Sequence, residues 1–199
     1  MKVGANNNPA ATEFVIQETV SGNYVNKGNG ELASSPSWGT RAEFGGDSGI
    51  NVNKLFANAQ YSFVAKARNS ESIETSNSSG VSKYTLAVKP GAPGATPTTS
   101  SQVNLVLNTS GNPPLTQYSV REVSTGKYVS RTAGALRDTQ EWSTYQQLNG
   151  SSGVSISGLS VNTQYRFVVT ARNGDAAATD ASSTTTVYTL ANIPARPVT

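Results

Sequence analysis

Apolar and polar residues alternate with a period of two along much of the chain, the signature of strands with one buried face. Val103, Leu105 and Leu107 alternate with polar or outward-facing neighbours, and Tyr165, Phe167, Val169 and Ala171 do so over a longer stretch. Tyr118 with Val120, Tyr128-Val129, Val154 with Ile156, and Val187 to Leu190 mark shorter strands. Between them lie turn clusters: Gly111-Asn112-Pro113-Pro114, Ser124-Thr125-Gly126-Lys127 and Gly150-Ser151-Ser152-Gly153. The segment Lys89 to Pro97 carries Pro90, Pro93 and Pro97. A residue without an N–H donor suits an edge strand or a linker, so this segment is predicted to be one or the other. Seven or so short strands at this spacing predict an all-β antiparallel sandwich.

The pattern occurs twice. Sliding the chain on itself by 104 residues aligns it without a gap, with about a third of the overlapping positions identical. Glu18 falls on Glu122, Tyr24-Val25 on Tyr128-Val129, Trp38 on Trp142 and Gln60-Tyr61 on Gln164-Tyr165. Ala67-Arg68-Asn69 falls on Ala171-Arg172-Asn173, and Tyr84-Thr85-Leu86-Ala87 on Tyr188-Thr189-Leu190-Ala191. Residues 1–87 therefore read as a first repeat without its first strand and part of its second, because Met1 aligns with Leu105. Residues 88–191 read as a complete repeat. Residues 192–199 read as a linker and the first strand of a following repeat, with Pro194 and Pro197 on Pro90 and Pro93. The stretch without a counterpart is Thr96 to Asn104, so the expectation is an excerpt of a longer array.

Leu159-Ser160-Val161-Asn162-Thr163-Gln164-Tyr165 is similar to the Leu-x-Pro-x-Thr-x-Tyr stretch of fibronectin type III domains, and the whole chain resembles the tandem copies found in bacterial surface proteins. The resemblance implies tandem immunoglobulin-like sandwiches, a structural tyrosine corner at Tyr61 and Tyr165, and an extracellular or cell-surface location. It also implies a non-catalytic role, as a semi-rigid spacer or an adhesion module. Val161 and Ala57 depart from the family's Pro, Ala59 from its Thr, and Leu or Val stands where its second strand carries Trp.

Composition agrees with this reading. The charged fraction is 14% and Ser, Thr, Asn and Gly are abundant, a profile that suits strands and polar turns more than long helices. Net charge is +3, but the 15 basic residues are scattered singly, so nucleic-acid binding is not expected. No run approaches a membrane-spanning length, so direct membrane insertion is not expected. The chain has no Cys and no His, which removes thiolate metal sites and the base of a catalytic triad, and no cofactor or metal is expected.

Gly46-Asp47-Ser48-Gly49 resembles a serine-protease nucleophile motif, but without His it reads as a turn. Glu18 and Glu122 lie one per repeat, too far apart for a glycosidase pair, and read as solvent-facing strand positions. Arg172-Asn173-Gly174-Asp175 stands where related modules carry an adhesion tripeptide, and reads as a capped turn. Asn77-Ser78-Ser79, Asn108-Thr109-Ser110 and Asn149-Gly150-Ser151 match the N-glycosylation pattern. Trp38 and Trp142 read chiefly as core. The alternative is ligand contact, with Tyr145 or Phe44 beside them to stack on a surface glycan or fill a pocket in a partner protein. The expected partners are neighbouring repeats or copies of the chain itself. In the latter case Ile193, Pro194, Ala195, Arg196, Pro197 and Val198 form a donor strand for the incomplete repeat of the next copy in a head-to-tail filament.

Overall fold

Every stretch of period-two alternation forms an antiparallel strand in the computed structural model, which describes residues 1–196. The chain divides into two units, Met1–Thr85 and Leu86–Thr199.

The first unit contains β1 (Glu13–Glu18), β2 (Tyr24–Val25), β3 (Leu32–Ala33), β4 (Gly39–Thr40), β5 (Gln60–Arg68) and β6 (Val81–Tyr84). They form one sheet of order β3-β2-β1-β5-β6, with β4 also paired to β1. Phe14, Ile16, Val25 and Phe63 point inward from this sheet to meet Val3 and Phe44, and Ile50 and Val52 pack on the same core. Met1 lies beside Ile50: its ammonium donates to Ile50 O and Ile50 N donates to Met1 O, each at 2.7 Å.

The second unit contains β7 (Gly91–Thr99), β8 (Gln102–Asn108), β9 (Gln117–Glu122), β10 (Tyr128–Ser130), β11 (Ala135–Arg137), β12 (Ser143–Thr144), β13 (Val154–Ile156), β14 (Gln164–Arg172) and β15 (Thr185–Tyr188). One sheet runs β11-β10-β9-β14-β15 with β12 also on β9, and a second runs β13-β8-β7. Val103, Leu105, Leu107, Val154 and Ile156 from the smaller sheet meet Tyr118, Val120, Phe167 and Val169 from the larger one. Two sheets enclosing one apolar layer make an antiparallel β-sandwich.

Nine strands replace the seven or so read from the pattern. The additions, β11 and β12, are two or three residues long, too short to show alternation. The Pro-bearing segment begins its strand at Gly91, two residues after Lys89, and extends through Pro97 to Thr99. It is an edge strand whose register with β8 shifts between Gly91 and Gly94 and again between Pro97 and Thr99. Irregular pairing accommodates prolines that cannot donate to a ladder.

At one core position the units differ in a hydroxyl. Tyr118 is 2% exposed in β9, and its counterpart in β1 is Phe14. Burial pushes the Tyr118 hydroxyl pKa up, since the phenolate loses its hydration there. Because the first unit packs the bare ring in the same place, Tyr118→Phe is expected to change unfolding free energy by less than about 1 kcal/mol. Phe167→Ala, at a fully buried position, is expected to cost about 3–5 kcal/mol. Chemical denaturation followed by circular dichroism measures both.

Candidate functional site

The side chains that carry charge or aromatic chemistry cluster at three places, and each place recurs 104 residues on. The first is the end of the central strand. Phe14 and Ile16 face inward from β1, so the same alternation turns Glu18 inward; in β9 it does so for Glu122 after Tyr118 and Val120. The solvent-facing reading of these glutamates is therefore corrected, for they are 2% and 0% exposed. Buried carboxylates need donors, and the next turn supplies them. Glu18 Oε1 accepts from Val20 N at 3.1 Å, while Oε2 accepts from Ser21 N and Ser21 Oγ, both at 2.7 Å. Glu122 accepts from Ser124 N at 3.1 Å, and from Thr125 N and Thr125 Oγ1 at 2.7 Å. It also takes Arg166 N of β14 at 3.2 Å, which ties the turn to the neighbouring strand. Desolvation alone raises a carboxyl pKa, but the bonds from Thr125, Ser124 and Arg166 together outweigh it and hold Glu122 below the ordinary value. Glu18 is lowered by the same balance, with Ser21 and Val20 as leading donors. Gly22 and Gly126 close the two turns at φ +73° and +75°, a left-handed conformation that favours glycine. The legible signal was Glu-x-x-Ser/Thr-Gly, present in both copies.

The second place is the start of β5 and β14. Tyr61 Oη accepts from Phe56 N at 3.0 Å, and Tyr165 Oη accepts from Ser160 N at 2.8 Å. Each ring packs partly against its core and stacks on the next inward aromatic, Phe63 or Phe167, with centroids 6.4 Å apart. Thr85 Oγ1 donates to Phe56 O and Thr189 Oγ1 to Ser160 O, both at 2.6 Å, so the same loop is held at its backbone from two strands.

The third place holds the tryptophans, and here the core reading is corrected: neither indole belongs to the core of its unit. Gly39 pairs with Phe14 and Ser143 with Tyr118, and paired residues share a face. The preceding residue therefore lies on the outer face. There Arg68 Cζ sits 4.5 Å from the Trp38 ring centroid, and Arg172 Cζ sits 4.5 Å from that of Trp142. Each arginine reaches from β5 or β14 across the central strand and is steadied on it. Arg68 Nε donates to Glu13 Oε2 and Arg172 Nε to Gln117 Oε1, both at 2.7 Å. The stack thereby clamps β4 or β12 to the sheet. Beside Trp38 is a crevice of about 40 Å³ lined by Val15, Tyr24, Pro36, Lys66 and Glu74. That volume is far below the roughly 300 Å³ at which small-molecule pockets begin. Phe44 is fully buried and offers no face to a ligand, while Tyr145 is partly buried against the core of the second unit.

The remaining candidates resolve into turns. Asp47 of Gly46-Asp47-Ser48-Gly49 pairs with Arg41 at the surface, and Ser48 N donates to Gly45 O. Residues Gly150–Ser152 form a single 3-10 turn. Asn173 Oδ1 accepts from Asp175 N and Ala177 N, the capping arrangement that Asn69 makes with Glu71 and Ile73. Ile193, Pro194, Ala195 and Arg196 are exposed and belong to no strand; Pro197 and Val198 lie outside the described residues. Among the described residues no group of three His, Cys, Asp or Glu side chains could hold a metal ion.

No family model matches the chain, and no curated protein matches it. Among solved structures it is similar to the chicken CNTN1 FN1-FN3 domains, at 16% identity and a TM-score of 0.41, over 90% of this chain and 55% of that one. The chain thus spans little more than half the length of that structure. It is also similar to the extracellular region of rat CD45, domains d3-d4, at 16% identity and a TM-score of 0.39, over 70% of this chain and 68% of that one. A third likeness is to the Yersinia enterocolitica family 28 exopolygalacturonase, at 17% identity and a TM-score of 0.37, over 53% of this chain and 21% of that one.

Glu122→Ala strands several buried donors and is expected to cost about 2 kcal/mol at neutral pH. The native pKa of Glu122 is depressed below that of the unfolded chain. Its contribution is therefore complete above the unfolded value of about 4.3 and is lost as pH falls through the lower native value. Glu122→Gln is expected to flatten the loss of stability between pH 5 and pH 2, about the range in which a depressed carboxyl titrates, as followed by urea unfolding. Trp142→Ala is expected to cost about 1 kcal/mol for the lost cation–π contact, with further loss from the packing of the indole. Hydrogen exchange in β12 should rise first.

Proposed function

We propose that the chain is a non-catalytic structural module of an extracellular surface protein, its two fibronectin type III-like units acting as a semi-rigid spacer. One observation carries this reading. The residues the units share are those that hold each unit together, and the polar and charged side chains lining the crevice beside the stacked tryptophan are not shared.

Glu18 and Glu122, Tyr61 and Tyr165, Thr85 and Thr189, Asn69 and Asn173, and the Arg–Trp stacks make matching contacts at one offset. By contrast Lys66, Glu74 and Asn77, which line the crevice beside Trp38, become Thr170, Ala178 and Ala181 in the second unit. A repeated ligand site needs the same donors and acceptors in each copy, whereas a repeated spacer needs only stability and dimensions. The Arg–Trp stack also occupies one face of the indole, the surface a sugar ring uses. Neighbouring repeats are the partners this reading supplies, through Pro-bearing segments such as Lys89 to Pro97.

Small-angle X-ray scattering tests the spacer directly. The nine residues of β14 span about 30 Å at roughly 3.3 Å per residue. Inserting a further copy of residues 88–191 after Ala191 should lengthen the particle by about 3 nm or slightly more, on the same rise per residue. A particle that thickens without lengthening argues against a spacer. Retention on immobilised glycans that Trp38→Ala abolishes in a folded chain would instead favour an adhesion role.

A further inference from the structure

Arginines that are scattered along the sequence are gathered by strand register on one face of the second unit. Tyr128 of β10 lies opposite Arg137 of β11 on one side and opposite Arg121 of β9 on the other. Arg121 in turn lies opposite Val168 of β14, two residues from Arg166. Paired residues share a face, and so do alternate residues of one strand. Val120, Val129 and Phe167 belong to the core, so Arg121, Tyr128, Arg137, Arg166 and Val168 stand on the outer face of the larger sheet. Neighbouring strands are about 4.8 Å apart, which sets Arg137 and Arg121 about 10 Å apart with Tyr128 between them. The three arginines are exposed, and Tyr128 and Val168 are half-buried.

The charge on this face is not cancelled by its own sheet. The strands of that sheet carry one carboxylate, Glu122, which is buried on the core side. Among the described residues Arg121 and Arg137 form no ion pair, and Arg166 Nη2 donates to the Ser124 hydroxyl at 3.5 Å. Asp138, next to Arg137 in the chain, is paired with Lys127 at 3.6 Å. The first unit presents a different face at the same place. Gln17, Ala33 and Ser62 stand there for Arg121, Arg137 and Arg166, and its outward cations Lys66 and Arg68 are paired with Glu74 and Glu13. In the second unit those two carboxylates are replaced by Ala178 and Gln117. Arginines gained and acids lost thus act in one direction, on one face.

We propose that this face binds an extended anionic polysaccharide, with Arg121, Arg137 and Arg166 on its carboxylate or sulfate groups and a sugar ring on Tyr128. A guanidinium presents a planar fork of donors that fits either anion. The tyrosine ring gives the C–H side of a sugar an apolar platform between the charges. The cations form a row across the strands, a shape that follows a linear polymer with charges along its length. A nucleic-acid strand uses a succession of free aromatic faces, and the indole of this face, Trp142, is already stacked by Arg172. The arginines are not shared by the first unit, so each chain carries one such face, and the inference goes beyond the spacer reading without resting on it.

Retention of the chain on immobilised dextran sulfate, alginate, neutral dextran and single-stranded DNA, at about 150 mM salt, tests this. The expected result is binding to dextran sulfate or alginate that weakens as salt is added, with none to neutral dextran. Arg121→Gln combined with Arg137→Gln should weaken that binding about tenfold or more, with the urea unfolding midpoint unchanged. Lys2→Gln combined with Lys89→Gln removes the same charge elsewhere and should change it less than about twofold, since exposed charges beyond a Debye length are screened. Absence of binding to both anionic polysaccharides, equal losses in the two double variants, or tighter binding to the DNA would overturn the proposal. None of these results bears on the scattering test of the spacer, so the two readings fail separately.

Discussion

The pairing of the two central strands in each unit is the constraint on which the other contacts depend. Glu13 to Glu18 lie opposite Arg68 to Phe63 in the first unit, and Gln117 to Glu122 lie opposite Arg172 to Phe167 in the second. A slip of one residue would turn Phe14 and Ile16, or Tyr118 and Val120, to the outside. It would also undo what the register carries on its other face. Glu13 lies opposite Arg68 and Gln117 opposite Arg172, and only from there do the guanidinium groups reach the tryptophans beyond the central strand.

The buried glutamates follow from the same register. Glu18 and Glu122 occupy inward positions at the strand end, where the chain must reverse. A carboxylate there has a use that an apolar residue lacks, because the reversal leaves N–H groups of the turn without ladder partners. The cost of removing a charge from water is offset by converging donors, which is why the pKa values fall rather than rise. The turn is thereby specified as well as stabilised, for it presents Ser21 or Thr125 to the carboxylate with both its N–H and its hydroxyl.

The two units differ in what covers their cores. The second sandwich is closed by β7, an edge strand bearing two prolines and irregular pairing, both of which discourage further strands from adding. The first has no such strand over its core among the described residues.

Period-two alternation was sufficient to determine the strands that carry the cores, since burial of one face leaves a regular trace in the sequence. The offset of 104 residues likewise determined that the chain contains two related halves, and the spacing of Tyr61 and Tyr165 after Leu55 and Leu159 marked the loop their hydroxyls hold. Tertiary structure alone decided the rest. Whether Glu18 is buried depends on the donors folded over it, which hydropathy does not register. Whether Trp38 enters the core depends on its neighbour Gly39 pairing with Phe14, and a two-residue strand is too short for its face to be read from alternation. Whether Arg121, Arg137 and Arg166 share a face depends on the register between strands, because pairing sets side by side residues that the chain holds many positions apart.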